Sequence, residues 1–161
     1  TIAGYAHERG RAVILVVNKW DLVKKSNATM GDYIKEVRGA FRFLPDSPIH
    51  FVSALSGQRV SKIMADVEMV NDEFNRQVPT PPPNKQPPAA EYNHQPPMYQ
   101  GKRLKFFYIT QTAVRPPTFV VFVNKAEGVH FSYERYLMNC LRQTFGFTAC
   151  PIRLNFSDRK R

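Results

Sequence analysis

Long hydrophobic runs are missing from this sequence. No apolar stretch approaches the roughly 18–20 residues that a membrane-spanning helix needs, so no membrane partner is expected. Cysteine is nearly missing too. Cys140 and Cys150 fit no metal-ligand spacing, and they read as buried reduced thiols of a cytoplasmic protein, not as a disulfide. No Gly-x-x-x-x-Gly-Lys-Ser/Thr segment occurs, so these residues hold no backbone cradle for nucleotide phosphates, and no Asp-x-x-Gly occurs to reach Mg²⁺. Gly-x-x-Gly is also absent, which removes one loop by which nucleic-acid-binding domains clamp a backbone. Acidic residues are few: 13 Asp and Glu face 23 Lys and Arg.

What is present is organised around residues 12–21, where six apolar residues run into Asn18-Lys19-Trp20-Asp21. An apolar, β-branched run without polar alternation predicts a strand over 12–18 buried on both faces, as in a parallel sheet of an α/β structure. Ligands of such sheets sit beyond the carboxyl ends of the strands, where this polar cluster stands. Its chemistry fits guanine, whose N1–H and 2-amino group are adjacent donors that the acceptor-only carboxylate of Asp21 can take together. Adenine offers a bare lone pair at N1 and no 2-amino group, so the same carboxylate would stay unpaired. Lys19 can lay its methylene stem on the base, and Asn18 can tie this loop to a neighbour. Trp20 reads as loop packing. A second apolar strand, 49–53, ends in Ser53-Ala54-Leu55, where small residues allow a backbone N–H to approach a ligand closely.

Around these strands the periodicity predicts helices over 1–9, 30–41 and 57–76, the last with a core-facing stripe of Val60, Ile63, Met64, Val67, Val70 and Phe74. The order α-β-α-β-α fits the back half of a doubly wound domain. Residues 79–97 contain eight prolines and read as an extended linker. From residue 99 a β-β-α-β pattern begins: strands over 104–112 and 118–123, a helix capped by Ser132 and running to 145, and a strand alternating through Ile152, Leu154 and Phe156. The aromatics 106–108 could stack RNA bases, but strand core is the favoured reading. Charge divides unevenly, with 11 Lys/Arg against 9 Asp/Glu in residues 1–78 and 11 against 3 in residues 99–161. That asymmetry points the second module at a polyanion. Arg115 in the inter-strand turn, Arg135 and Arg142 on the helix, Arg153 on the last strand and the terminal Arg159-Lys160-Arg161 are the candidate contacts.

Asn18, Lys19, Asp21 and then Ser53-Ala54-Leu55 resemble the fourth and fifth motifs of translation-factor-class GTPases. By that resemblance Ala54 N–H faces guanine O6 and Ser53 braces the loop. Tyr108-Ile109-Thr110-Gln111, Arg115-Pro116-Pro117-Thr118-Phe119, Phe122-Val123-Asn124, Ser132-Tyr133, Arg135-Tyr136-Leu137 and Pro151-Ile152-Arg153-Leu154 are similar to the C-terminal KH-like domain of the Der (EngA) GTPases. The resemblance implies an α/β fold, a partial P-loop GTPase G domain with a doubly wound parallel sheet over 1–78, then a small α+β KH-like domain over 99–161. Residues 79–98 would be a linker or a degenerate first KH helix, since Pro83, Pro87 and Pro88 fall where that helix's interior belongs. It further implies GTP or GDP as ligand, Mg²⁺ in the complete parent protein, GTP hydrolysis, a cytoplasmic location, and the large ribosomal subunit with its rRNA as partner in assembly. On this reading the chain is a C-terminal part that supplies guanine specificity and docking. The alternative is a non-catalytic RNA- or ribosome-binding module with a remnant G domain.

Overall fold

The computed structural model describes residues 2–23, 29–79 and 95–159. The chain divides into two compact units, Thr1–Phe74 with Ala149–Pro151, and Asn75–Thr148 with Ile152–Arg161. The expected linker or first KH helix at 79–98 falls largely outside the described residues.

The first unit runs α1 (Ile2–Glu8), β1 (Leu15–Val17), a 3-10 turn (Trp20–Leu22), α2 (Thr29–Ala40), β2 (Ile49–Phe51) and α3 (Ser61–Asn75). β1 and β2 pair in parallel, Leu15 opposite Ile49 and Val17 opposite Phe51. The α/β order and the parallel pairing are as the sequence predicts, but the extents are not. The strand read over 12–18 is three residues long. Val16 is 46% exposed, so the run is not buried on both faces. Its apolar composition presupposes covering layers, and among the described residues this sheet has two strands. The same shortage leaves the predicted α3 stripe half open: Val70 is buried, while Val60, Met64 and Val67 are exposed. The unit's core gathers instead around Trp20, whose ring lies 4.6 Å from that of Phe51 and 5.2 Å, edge-on, from that of Tyr33.

Among the described residues of the second unit, the first strands form a hairpin, β3 (Met98–Tyr99) and β4 (Lys102–Arg103). Its two turn residues, Gln100 and Gly101, both have positive φ, the conformation a two-residue hairpin turn requires. Then come β5 (Phe106–Ala113), β6 (Thr118–Val123), α4 (Phe131–Phe145) and β7 (Arg153–Asp158). The three-stranded sheet has the order β5-β6-β7, the first pair antiparallel and the second parallel. Antiparallel strands need only a short turn; the parallel pair needs a crossover, which α4 supplies. Phe106, Ile109, Phe119, Val121, Val123 and Leu154 are buried, as are Tyr133, Leu137 and Leu141 of α4. The Phe106 and Tyr133 rings stack at 5.0 Å. Both cysteines are free thiols, Cys150 buried and Cys140 half-buried.

α4 ends at Phe145 as its sequence reading has it, and differs from that reading at its start. His130, not Ser132, is the N-cap, its Nδ1 accepting from Ser132 N–H. Gly146 at φ +70° closes the helix, and its N–H donates to the Arg142 carbonyl. In that left-handed position glycine carries no Cβ penalty. At its last turn Thr144 is exposed, and Phe145 is half-buried.

Candidate functional site

Parallel pairing of β1 and β2 delivers two loops to the same edge of the sheet. Beyond β2, the Val52 N–H donates to the Val17 carbonyl and the Trp20 N–H to the Val52 carbonyl, both at 2.9 Å, so the pairing continues into the loops. The loop after β1 then kinks. Lys19 adopts φ +63°, ψ +35°, a left-handed conformation that costs a non-glycine residue roughly 1 kcal/mol. The Asn18 side chain holds the kink: its Oδ1 accepts from Lys19 N–H at 2.8 Å and from Ala54 N–H at 3.0 Å. One carboxamide oxygen, with two lone pairs, therefore ties the two loops together. Ser53 is fully buried, and its Oγ accepts from Ser56 N–H at 3.2 Å.

Lys19, Asp21, Ala54 and Leu55 are exposed around these two anchors. Trp20 turns the other way and is 2% exposed, in the packing role the sequence suggests. The resemblance puts Ala54 N–H on guanine O6; in the structure it is on Asn18 Oδ1, so a base oxygen would share or displace that bond. Among the described residues no group of His, Cys, Asp and Glu is arranged to hold a metal ion. No helix there is long and apolar enough to cross a membrane.

The candidate basic residues of the second unit sit on several elements. Arg115 sits at φ +64° in the β5–β6 turn, exposed, with its Nε donating to Asn75 Oδ1. Arg135 is exposed on α4, its guanidinium 5.9 Å from the centre of the Phe131 ring. Arg142 is half-buried, and its Nη1 donates to the Phe147 carbonyl at 3.3 Å, which makes it part of the helix C-terminus and not a free outward cation. Arg153 is exposed at the start of β7, and Arg159 is exposed beyond its end, 4.7 Å from the centre of the Phe107 ring. Lys160 and Arg161 lie outside the described residues. On α4, burial and then a hydrogen bond to Cys140 raise the Tyr136 phenol above its usual range, which keeps it neutral.

Several polar anchors escape sequence reading. His50 Nε2 and Asp66 Oδ2 are 2.7 Å apart, joining β2 to α3. Gln111 donates to the Arg76 carbonyl and accepts from Val78 N–H. Neither pair carries a local signal. Glu73 does: it lies three residues after Val70, on the buried face of α3, where an acid is out of place. It is 2% exposed and accepts N–H bonds from Ala149 at 2.9 Å and Cys150 at 3.0 Å.

Residues 75–157 match the family model of the KH-domain-like domain of EngA bacterial GTPase enzymes, C-terminal. Over 159 residues the chain is 69% identical to the GTPase Der of Syntrophotalea carbinolica and 50% identical to that of Geotalea uraniireducens. Each alignment covers 99% of this chain and 36% of the relative. The GTPase Der of Moorella thermoacetica is 50% identical over 155 residues, 96% of this chain and 35% of the relative. The chain thus spans about a third of the length of the curated relatives it matches.

Proposed function

The chain belongs to the EngA (Der) family of GTPases, and from that premise we propose that it supplies base reading and ribosome docking to a GTP-hydrolysing cytoplasmic protein acting in assembly of the large ribosomal subunit. The observation that carries the base-reading half is the Asn18 bridge, which holds the Asn-Lys-x-Asp and Ser-Ala-Leu loops side by side with the Asp21 carboxylate open to solvent. Asp21 would accept from guanine N1–H and the 2-amino group, the Lys19 stem would cover the base face, and Asn18 and Ser53 would hold the loops in register. The phosphates and Mg²⁺ find no Gly-rich cradle and no Asp-x-x-Gly in these residues. The 161-residue chain should therefore bind fluorescent GDP no better than about 10 μM, because phosphate contacts supply most nucleotide affinity in such folds. A titration giving a Kd of about 1 μM or tighter would place the affinity in the base loops and overturn this division.

Docking would rest on the second unit, where the positive surplus lies. If about three to five rRNA phosphates are engaged, log affinity should fall with log salt at a slope of roughly −2 to −4. Arg135→Glu with Arg153→Glu should weaken binding about equally for unrelated RNA sequences. Filter binding at two or more salt concentrations checks both. An affinity indifferent to salt, or unchanged by the two reversals, would sink the electrostatic account. Arg142→Glu is unsuitable for this purpose, since it also removes the bond to the Phe147 carbonyl. The non-catalytic reading predicts the same RNA behaviour. It is separated from the first by GTP hydrolysis in a full-length relative carrying these residues.

A further inference from the structure

α4 covers one face of the β5-β6-β7 sheet, through the Phe106–Tyr133 and Phe119–Phe145 ring contacts. The pairing register defines the other face. Tyr108 stands opposite Phe122, and Phe122 opposite Ser157; Thr110, Val120 and Asn155 form the next row; Thr118 and Arg153 form a third. A register shift between Phe106 and Tyr108 is what turns two aromatics so close in sequence to opposite faces, Phe106 buried and Tyr108 half-exposed. The Tyr108 and Phe122 rings are stacked, 4.4 Å between centroids and 21° from parallel. They line a shallow pocket of about 350 Å³ with Ser157, Asp158 and Arg159.

We propose that this outer sheet face is a platform for single-stranded RNA, with an unpaired base continuing the Tyr108–Phe122 stack in the pocket beside Ser157 and the flanking phosphates held by Arg159 and Arg153. The proposal rests on the reading of the second unit as an RNA-docking module and gives it a seat. Three features agree on the occupant. Half-exposed aromatic rings stacked on each other across adjacent strands leave their outer faces for a base to continue the stack, and stacking needs no particular base. Cations stand at both ends: Arg159 beside the pocket, and Arg153 two rows away, about 13 Å at strand spacing, or roughly two nucleotides of extended backbone. The residues between are small or polar, Thr110, Thr118, Val120 and Asn155, so a ribose and phosphate can pass over them. The one acid at the rim, Asp158, accepts from Ala126 N–H at 2.6 Å, and its remaining acceptor capacity suits the exocyclic amino group of adenine.

The test uses the whole chain and two fluorescein-labelled octamers with equal phosphate counts: oligoadenylate, and the same backbone with abasic riboses. Anisotropy is measured at two salt concentrations. Stacking predicts that oligoadenylate binds about tenfold tighter than the abasic octamer. Tyr108→Leu with Phe122→Leu should erase that difference, and Phe122→Trp should keep it. Equal affinity of the wild-type chain for the two octamers overturns the platform, and that comparison does not depend on how any variant folds. Equal affinities with a steep salt slope would leave electrostatic docking standing while removing the seat. A tenfold preference without a salt slope would keep the seat and remove the electrostatic account. If the double leucine variant loses large-subunit binding while the wild-type chain treats both octamers alike, the face docks on protein and the proposal is wrong.

Discussion

Asp21→Asn, placed in a full-length relative that carries these residues, should convert a guanine site into a xanthine site. The carboxylate accepts from two adjacent donors on guanine; the asparagine amide replaces one acceptor with a donor, which meets an N–H on guanine. Xanthine carries a carbonyl at C2 where guanine has its amino group, and the amide can donate to it. Sites built on such pairing reject the mismatched analogue because a buried polar group is left unpaired, so the preference should swing by roughly 10²–10⁴-fold. Competition between GDP and XDP for wild type and variant measures it. The structure adds a control: Asp21 is exposed, with its backbone in the 3-10 turn, while the loop geometry is held by Asn18. The substitution should therefore leave stability nearly unchanged. An unaltered preference would mean that Asp21 does not read the base.

Much of this site and fold is visible in the chain itself, for identifiable reasons. Asn18-Lys19-Trp20-Asp21 and Ser53-Ala54-Leu55 each follow an apolar strand, and parallel pairing is enough to bring two strand ends to one edge. Strand β7 is legible because Ile152, Leu154 and Phe156 keep a strict period of two, and the two buried among them, Ile152 and Leu154, face away from exposed Arg153 and Asn155. What fails does so where composition depends on something outside the segment. Val16 and Met64 have the chemistry of core residues, yet burial needs a neighbour in the right place, and periodicity cannot supply one. The aromatics 106–108 are read together as core from residue type; a bulge then turns Tyr108 away from the face of Phe106, and no residue type announces it. Arg142 reads as a solvated cation from its spacing on the helix, but the carbonyl it serves belongs to Phe147, fixed only once the helix ends at Gly146.

Glu73 shows the same dependence at its largest energetic scale. Its carboxylate, 2% exposed, receives the N–H groups of Ala149 and Cys150, residues that are themselves buried. Those two donors come from 76 and 77 positions further along the chain, yet Ala149–Pro151 is part of the same compact unit as α3. Glu73→Leu would leave two buried N–H groups without this acceptor, at about 1–3 kcal/mol each, so a loss of roughly 2–6 kcal/mol is expected. That is a large fraction of the 5–15 kcal/mol typical of a domain. Glu73→Gln keeps one acceptor oxygen and should lose distinctly less. Trp20, the sole tryptophan, is buried against Phe51 in that same unit, so its fluorescence in a urea titration reports the unit's unfolding without contribution from the KH-like sheet. The expected order of midpoints, highest first, is wild type, then Glu73→Gln, then Glu73→Leu. A leucine variant as stable as wild type would show that hydrophobic packing around α3 compensates for the lost carboxylate. The segment 149–151 would then be held there by its apolar side chains alone.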